Sequence, residues 1–531
     1  MPNSTIMLQI SPATLDWAIK HAINFGDNDI FPKPFEYAAI QHDWATIKDF
    51  LSGVNVLEWA TRPQRTLLSP KSRYGFRAAT QLDPLDFLIF AGLVYDIGSD
   101  LEAKRIPVAE QTVYSYRFAP DKDGRIFDGT IGYRQFQARC EAISSGKSFS
   151  HVVVADIADF YARIYVHRLE NALNNATKKG NHVKALRSLL SGWNGTETFG
   201  IPVGNAPSRL LAEITISDVD DLLKAYGVTF VRFNDDYRLF ATSKNQAYRT
   251  LSILADHLYT NHGLSLQPQK TKIVEMEAFR RIYLPTPEDR ELDAFREKFH
   301  ELVGELGLGS NYDEIDADDL DEDQQAEIDR MNLGTLFRAE IAHGEDADIG
   351  AMRFLLRRLT QLGNAEVLED IFQNLEVLHA VFPDVIRYLQ SLRNVSPQNR
   401  KDIGGRILEL LHNSIVAEMN YHRMWALTLF TESEEWDNED RFLNLLGALS
   451  DPFSRRKLIL ALGRSGQTGW FQLRWRALFE EPHWSRRALI LGASCMATDA
   501  RRHWYDSIEP RLDVLEKAVV KWARHKPFAD M

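Results

Sequence analysis

The fold is decided by two stretches, Val152-Val-Val-Ala-Asp-Ile-Ala-Asp-Phe-Tyr161 and Val228-Thr-Phe-Val-Arg-Phe-Asn-Asp-Asp-Tyr-Arg-Leu-Phe240. In the first, an apolar β-branched run ends at Asp156, and the pattern after it predicts a helix from about residue 158 to residue 173. In the second, two apolar runs flank Asn234-Asp235, which suits the tight turn of a β-hairpin. Both stretches therefore place acidic residues at the ends of predicted strands.

Three of these acids, Asp156, Asp235 and Asp236, are candidates for a metal site, because a sheet fixes the positions of side chains at its strand ends. Carboxylate oxygens of this kind suit Mg²⁺ or Mn²⁺. Two such ions about 3.5–4 Å apart activate an attacking hydroxyl and stabilise a leaving pyrophosphate. The alternative for either stretch alone is turn chemistry, since Asp also bends and caps chains.

A third element lies between the two stretches: the loop Gly200-Ile-Pro-Val-Gly-Asn-Ala-Pro-Ser-Arg209. It predicts a helix with Asn205 as its cap and Pro207 in its first turn. Arg209 either faces a bound nucleotide or forms an intrahelical pair with Glu213, four residues further on.

This order of elements resembles the palm of reverse transcriptases over about residues 65–285. Phe233-Asn-Asp-Asp236 stands where that superfamily has its Tyr-x-Asp-Asp box. The resemblance implies that Asp156 and Asp235 are the two principal metal ligands, with Asp236 as their acidic neighbour. It implies that Tyr161 is the aromatic gate that rejects a ribose 2′-hydroxyl. Lys270, in Leu264-Ser-Leu-Gln-Pro-Gln-Lys-Thr-Lys272, matches a lysine placed to protonate the leaving group.

The resemblance also implies a nucleotide-binding set in the fingers and in the Gly loop. Arg77, in Gly75-Phe-Arg, matches a triphosphate-binding arginine, and Lys71 lies nearby among scattered cations. Val203 and Gly204 of the loop complete the expected nucleotide site. The alternative for each cation is a solvated surface charge.

Within the superfamily, the sequence most resembles bacterial abortive-infection (phage-defence) reverse transcriptases, the AbiK-like group. The resemblance rests on Pro202-Val-Gly-Asn205 in place of the usual Pro-Gln-Gly, on Val113-Tyr-Ser-Tyr-Arg-Phe118, and on a long helical region downstream. It implies DNA synthesis from dNTPs without a template, started from a hydroxyl of the protein. The single-stranded DNA product would be covalently attached, and the protein would be a homo-oligomer, a trimer or hexamer.

Tyr37 is the candidate for the priming residue, because the neighbouring Pro32-Lys-Pro break predicts a movable segment. The alternative for Tyr37 is a packed aromatic side chain.

The charge distribution is uneven across the 531 residues, whose net charge is −12. Residues 1–290 hold 33 Lys+Arg and 32 Asp+Glu, whereas the remainder holds 29 and 42. Proteins that clamp a long duplex usually carry a basic face, because phosphate contacts dominate affinity. The balance therefore argues against a strong grip on a free template-primer.

Cellular location is indicated by three features. The two cysteines, Cys140 and Cys495, form no metal-spaced motif and fit a reducing cytoplasm. The N-terminal residues show no signal peptide. The longest apolar run, residues 87–95, falls short of the ~20 residues of a membrane helix, so no membrane association is expected.

The sequence predicts an α+β protein in which reverse-transcriptase fingers and palm precede an all-α HEAT/TPR-like helical-repeat domain. The expected organisation is an N-terminal helical region (1–60), fingers (61–140), palm (141–290), an acidic hinge region (291–330) and the α-helical repeat domain (331–531). The acidic tract 313–329 within the hinge region carries ten acids and no base.

One internal repeat supports the helical-repeat prediction: Asp451-Pro-Phe-Ser-Arg-Arg-Lys-Leu-Ile-Leu460 returns as Glu481-Pro-His-Trp-Ser-Arg-Arg-Ala-Leu-Ile-Leu491. In each copy the serine is expected to cap a helix and to place two arginines in its first turn. That placement opposes the helix dipole, so the arginines either meet an anion such as DNA phosphate or form salt bridges with nearby acids.

Two rival functions stay open on the sequence alone. The first is a template-copying reverse transcriptase of the retron or intron type. The second is a helical-repeat interaction protein with an inactive palm. Three mutually repelling carboxylates count against the second, since an inert site has no need to keep them.

Overall fold

The computed structural model describes residues 7–284 and 332–528. The expected hinge region 291–330, with its acidic tract, lies outside the described residues. The chain forms two compact units. The first contains residues 7–37, 44–66 and 78–284, and the second contains residues 38–43, 67–77 and 332–528. The domain boundaries expected within the first unit stay predictions.

The N-terminal half of the chain, up to residue 284, combines helices with six short strands. In chain order its elements are α1 (Pro12–Asn24), α2 (Glu36–His42), α3 (Trp44–Gly53), β1 (Arg65–Pro70), β2 (Phe76–Gln81), α4 (Pro84–Lys104), α5 (Tyr133–Ser144), β3 (His151–Asp156), α6 (Phe160–Arg163), α7 (Val166–Ala176), α8 (Gly180–Asn194), α9 (Ala206–Thr215), α10 (Ser217–Ala225), β4 (Thr229–Phe233), β5 (Asp236–Ala241), α11 (Lys244–His257), β6 (Lys272–Glu275) and α12 (Met276–Tyr283).

A four-stranded antiparallel sheet, ordered β4-β5-β3-β6, is the centre of the first unit. Val152 and Val154 of β3 point into a core that also contains Phe240 of β5 and Phe279 of α12. β-Branched and aromatic residues favour such a half-covered pleated surface. The sheet therefore holds the end of β3 and the β4–β5 turn in a fixed relation.

The predicted hairpin and Gly loop are both confirmed. β4 ends at Phe233 and β5 begins at Asp236, so Asn234-Asp235 is the turn, with Asn234 at φ +54°. Asn205 caps α9 by accepting a hydrogen bond from the Ser208 amide, and Pro207 lies in the first turn.

The single helix predicted for residues 158–173 is wrong, because the structure has two short helices, α6 and α7. The backbone between them pairs with a distant segment: the Gly200 amide donates to the Ile164 carbonyl at 2.8 Å, and the Val166 amide donates to the Thr198 carbonyl at 3.0 Å. These long-range bonds replace the helical ones at the break. The side chain of His167, in the first turn of α7, is 77% exposed.

The described part of the second unit beyond residue 331 is helical, as the sequence predicted. Its helices are α13 (Leu333–Ala342), α14 (Ile349–Leu362), α15 (Leu368–Gln373), α16 (Leu375–Leu378), α17 (Phe382–Ser391), α18 (Pro397–Glu409), α19 (Ile415–Glu418), α20 (Asn420–Glu432), α21 (Glu439–Ala448), α22 (Pro452–Arg464), α23 (Thr468–Arg474), α24 (His483–Gly492), α25 (Thr498–Ile508) and α26 (Val514–His525). Helices α14, α17, α20, α22, α24 and α26 pack against one another in succession. A succession of this kind is typical of helical-repeat proteins.

Arginine–acid pairs connect successive repeats of this stack. Arg455 of α22 pairs with Glu481, whose carboxylate accepts from Nε at 3.2 Å. Arg486 of α24 pairs with Glu516 of α26 at 3.2 Å. The salt-bridge alternative for the first arginine of each repeat is therefore confirmed.

The expected serine caps are wrong. Asp451 caps α22 by accepting from the Phe453 and Ser454 amides, and Pro482 precedes α24. Because α22 begins at residue 452, Ser454 is already helical and the arginines lie beyond the cap. Arg487, the second arginine of its repeat, is fully buried, with its guanidinium 4.5 Å from the Trp484 ring centre.

The tip of the β1–β2 hairpin, residues 67–77, groups with the helical unit. The Arg73 guanidinium donates to the Gly344 carbonyl at 3.1 Å, and the Arg73 carbonyl lies 2.8 Å from His379 Nε2. Tyr74 donates to Glu345 at 3.1 Å.

Across residues 7–284 and 332–528, every helix is too short or too polar to span a membrane.

Candidate active site

The end of β3 and the β4–β5 turn lie side by side because β3 and β5 pair. Asp156 stands opposite Asp236 in the antiparallel register. The Ile157 amide donates to the Asp235 carbonyl at 3.1 Å, which fixes the turn against the end of β3. The three aspartates named from the sequence are therefore brought together.

Lys270 joins this cluster from a distant part of the chain. Its Nζ lies 2.8 Å from Asp156 Oδ2. The segment before it is anchored to the same strand end, since the Gln267 amide donates to the Asp156 carbonyl at 2.7 Å. Burial works to lower the pKa of Lys270, but the hydrogen bond to Asp156 and the charges of the aspartates raise it on balance. Lys270 therefore stays an ammonium ion at neutral pH.

Asp236 is an aspartate of the cluster whose pKa is raised above its ordinary value. Burial raises its pKa, and the neighbouring Asp156 carboxylate raises it further, while Arg238 works in the opposite direction. Arg238 Nη1 is 3.5 Å from Asp236 Oδ1. The turn thus brings three carboxylates together, with Lys270 and Arg238 as neighbouring cations.

The donor set fits Mg²⁺ or Mn²⁺. Its members are carboxylate oxygens, the hard ligands that these ions prefer. The Lys270 ammonium already lies against Asp156 as a cation, and the pKa of Asp236 is raised first by burial and then by the charge of Asp156, both of which a divalent ion would offset. Asp156, Asp235 and Asp236 would hold the metal.

Tyr161 lies beside the turn that carries Asp235. Its hydroxyl is 3.1 Å from Asn234 Oδ1, and the Asn234 side-chain amide donates to Asp235 at 2.7 Å. Burial raises the pKa of Tyr161 well above its ordinary value, so the phenol is neutral. The structure thus places Tyr161 against the aspartate turn, and its role as the sugar gate stays a prediction.

A buried charge network supports the turn from behind, and sequence reasoning missed it. Arg232 of β4 donates to the Asn234 carbonyl at 2.9 Å and binds Asp220 through two hydrogen bonds of 2.8 and 2.6 Å. Glu213 contacts Arg232 at 3.0 Å and Arg105 at 2.6 Å. These four side chains are almost fully buried.

Ser115 completes the network by donating to Glu213 at 2.6 Å. Two arginines and two acids balance in charge, which is the condition for burying such groups. The one signal in the sequence was Arg232 itself, a charged residue inside an otherwise apolar strand.

The intrahelical pair expected between Arg209 and Glu213 is wrong. Glu213 is taken by the buried network, and Arg209 pairs instead with Asp29. The Arg209 guanidinium also lies 5.3 Å from the centre of the Tyr116 ring. Contacts distant in sequence outweigh the pairing that helical spacing alone favours.

The Gly loop is closed by the N-terminal segment. The Val203 carbonyl accepts from the Thr80 amide at 3.2 Å, and the Gly204 carbonyl accepts from the Asp29 amide at 2.9 Å. Gly204 has φ +106°, and a Cβ there would lie 2.5 Å from the Asn28 side-chain amide. Glycine is therefore required for this close approach.

Three other predicted site residues lie elsewhere. Tyr37 is fully buried and meets Phe87 edge-on, so the expectation that the Pro32-Lys-Pro break makes it movable is wrong. Lys71 and Arg77 are exposed and belong to the hairpin tip of the second unit. Their roles in nucleotide binding stay predictions.

The comparisons with known proteins agree with this geometry. The family model for reverse transcriptase (RNA-dependent DNA polymerase) matches residues 116–316. That span contains the three aspartates, Tyr161, the Gly loop and Lys270. Residues 116–316 therefore match a reverse transcriptase domain, and the described chain beyond residue 331 is helical.

Two further comparisons complete these findings. Telomerase from Candida albicans, solved in complex with the TWJ fragment of telomeric RNA, shows 12% identity and a TM-score of 0.33, covering 74% of this chain and 67% of that chain. A likeness at this score does not establish a shared fold. No curated protein matches the chain.

Proposed function

We propose that the protein is a DNA polymerase that adds deoxynucleotides without copying a template and starts from a tyrosine hydroxyl of its own. The proposed polymerase activity rests on the cluster of Asp156, Asp235 and Asp236, with Lys270 at 2.8 Å from Asp156. This cluster lies within the segment that matches the reverse transcriptase family.

The residues of the cluster divide the work of nucleotide addition. Asp156, Asp235 and Asp236 would hold divalent metal ions, which would supply activation of the attacking hydroxyl and charge stabilisation of the leaving pyrophosphate. Lys270, kept as an ammonium ion by its acidic neighbours, donates a proton to that leaving group. Tyr161 narrows the space beside the turn and favours a sugar without a 2′-hydroxyl.

The closed Gly loop supports synthesis without a template. Val203 has an apolar side chain, and the carbonyls of Val203 and Gly204 are occupied by Thr80 and Asp29 of the same chain. Asn28 fills the space above Gly204. This face of the loop is therefore covered by protein and offers few free polar groups to a template strand.

Priming by the protein is supported by Tyr133, which takes the place that the sequence gave to Tyr37. Tyr133 is 47% exposed, and its ring packs against Phe233, three residues before Asp236. Burial raises the pKa of Tyr133, and the charge of the Asp236 carboxylate acts in the same direction. Tyr133 is therefore our candidate for the priming hydroxyl, as a partly exposed phenol packed against the strand that leads into the aspartate turn.

The test is to incubate the protein with labelled dNTPs and Mg²⁺ or Mn²⁺, denature it and look for label that migrates with the chain. We expect a covalent adduct in the wild type and in Tyr37→Phe, and its loss in Tyr133→Phe. Label that separates from the denatured chain without nuclease treatment would rule out protein priming. An adduct that persists in Tyr133→Phe would exclude this tyrosine.

A second candidate function is RNA-directed DNA synthesis of the retron or intron type. The matching family is described as an RNA-dependent DNA polymerase, which favours this alternative. It predicts that incorporation requires an added RNA template and primer, and that the product sequence follows the template.

The proposed biological role is phage defence by abortive infection, carried out by a homo-oligomer in the cytoplasm. The role rests on the resemblance of residues 113–118 and 202–205 to the AbiK-like group. The test compares phage plaque formation on cells that express the wild type or Asp235→Asn. Protection by the wild type alone is the expected result, and equal plaque numbers would contradict it.

A further inference from the structure

A cluster of two histidines and an aspartate lies outside the polymerase site. His262 Nε2 is 3.0 and 3.1 Å from the two carboxylate oxygens of Asp218, and His257 Nε2 is 3.2 Å from Asp218 Oδ2. The potential ligand atoms of the three residues all lie within 4.8 Å of one another. They converge from α10 and from the end of α11.

A π-helical turn explains how the two histidines meet. In an α-helix of about 3.6 residues per turn, side chains five apart point roughly 140° away from each other. After His257, however, residues Leu258–His262 form a π-helical turn, which winds more loosely. The wider turn brings His262 round to the side of His257. π-Turns are rare and are frequently found at functional sites.

The donor set suits a borderline transition metal better than Mg²⁺. Two imidazoles and one carboxylate are common ligands of Zn²⁺, which takes bonds of about 2.0–2.1 Å in a tetrahedral arrangement. Those bonds place neighbouring ligand atoms about 3.3–3.4 Å apart. The separations of 3.0–3.2 Å between Asp218 and the histidines are close to that value.

The surroundings of the cluster are those of a built site. His262 is 5% exposed, whereas the Asp218 side chain is 52% exposed. The cluster is thus buried at His262 and open to solvent at Asp218, which leaves room for a fourth ligand such as water. Asn261 Nδ2 lies 2.7 Å from His257 Nδ1, and Arg168 donates to the Asn261 oxygen. These contacts fix the orientation of the His257 ring.

We propose that Asp218, His257 and His262 form a zinc site that fastens α10 to the π-turn. The segment directly after His262 leads to the polymerase cluster: the Ser265 carbonyl accepts from the Ala158 amide at 2.9 Å, and Lys270 follows. A bound ion therefore fixes the start of the segment that delivers Lys270 to Asp156. The zinc site stands independently of template use and priming.

The competing explanation is a purely protein cluster, in which the two imidazoles hydrogen-bond to Asp218 without an ion. The two explanations differ in what they predict for metal binding. Calorimetric titration with Zn²⁺ of the chelator-treated full chain, in excess Mg²⁺ to occupy the hard carboxylate site, distinguishes them. Co²⁺ as a substitute gives visible absorption bands that report a tetrahedral site with nitrogen ligands.

We expect one Zn²⁺ per chain, tetrahedral Co²⁺ bands, and a thermal midpoint that rises with Zn²⁺. Asp218→Asn and His257→Gln should each weaken binding by at least about tenfold and abolish the bands. Both side chains are partly exposed, so the variants are expected to fold.

Asp221→Asn and His167→Gln are the matched controls, because they make the same changes at exposed positions outside the cluster. Both controls should bind Zn²⁺ as the wild type does. Absence of Zn²⁺ binding in the wild type, or equal binding by Asp218→Asn and Asp221→Asn, would overturn the proposal.

Discussion

Replacing Glu213 by Gln tests how much the aspartate turn depends on the buried network behind it. The substitution keeps the shape of the side chain and removes one negative charge from a set of two arginines and two acids. Arg105 and Arg232, held by Glu213 at 2.6 and 3.0 Å, then each lose one of two anionic partners, which leaves Glu102 for Arg105 and Asp220 for Arg232. Breaking a buried pair by removing one partner costs about 3–5 kcal/mol.

The matched control is Glu110→Gln. Glu110 pairs with Lys224 at 2.5 Å, but both side chains are at least one-third exposed. Exposed pairs of this kind contribute about 0–1 kcal/mol. Urea unfolding of the two variants and the wild type should therefore separate Glu213→Gln clearly from Glu110→Gln.

Activity should follow the same order. Arg232 donates to the Asn234 carbonyl at 2.9 Å, so a disturbed network shifts the turn that carries Asp235. A displacement of about 1 Å at a reacting group costs about a hundredfold in rate. Metal-dependent dNTP incorporation measures this loss. A Glu213→Gln protein that matches Glu110→Gln in both stability and incorporation would refute the positioning role of the network.

The remaining predictions concern single side chains. Asp156→Asn should abolish incorporation while thermal melting stays near that of the wild type, because a neutral amide is a poorer ligand than a carboxylate for the proposed metal. Near wild-type turnover would contradict the site. Tyr161→Ala should raise incorporation of ATP relative to dATP. Tyr161→Phe should not, because it keeps the ring and loses only the hydrogen bond to Asn234. An unchanged ATP-to-dATP ratio in Tyr161→Ala would place the gate elsewhere. Burial raises the pKa of Asp27 from 3.8 to about 7. The protonated Asp27 carboxyl therefore stabilises the fold fully below pH 3.8, and this stabilisation is lost as the pH rises to about 7. At pH 8 the free energy of unfolding of Asp27→Asn should therefore exceed that of the wild type by on the order of 4 kcal/mol, and this difference should shrink towards pH 4. Urea unfolding measures it, and equal urea midpoints at pH 8 would contradict it.

Local patterns in the sequence were sufficient for the elements that carry the site. The β-branched run before Asp156, the apolar runs around Asn234-Asp235 and the capping Asn205 each act through neighbouring residues, and each formed the expected structure. The helical-repeat region was also predictable, because its apolar periodicity and the repeated Ser-Arg-Arg motif recur along the chain.

Interactions between distant residues account for what the sequence did not predict. The break between α6 and α7 comes from backbone bonds to residues 198–200. Arg209 meets Asp29, 180 residues away, in preference to Glu213 four residues along its own helix. Tyr37 is buried against Phe87 although a proline-rich break precedes it. None of these partners could be named from local spacing.

Untemplated DNA synthesis is tested by measuring incorporation of labelled dNTPs with Mn²⁺ or Mg²⁺ in the absence of any added nucleic acid. We expect incorporation by the wild type without template or primer, its abolition by a chelator, and its absence in Asp235→Asn. Incorporation that appears only with an added template, or that Asp235→Asn retains, would contradict it.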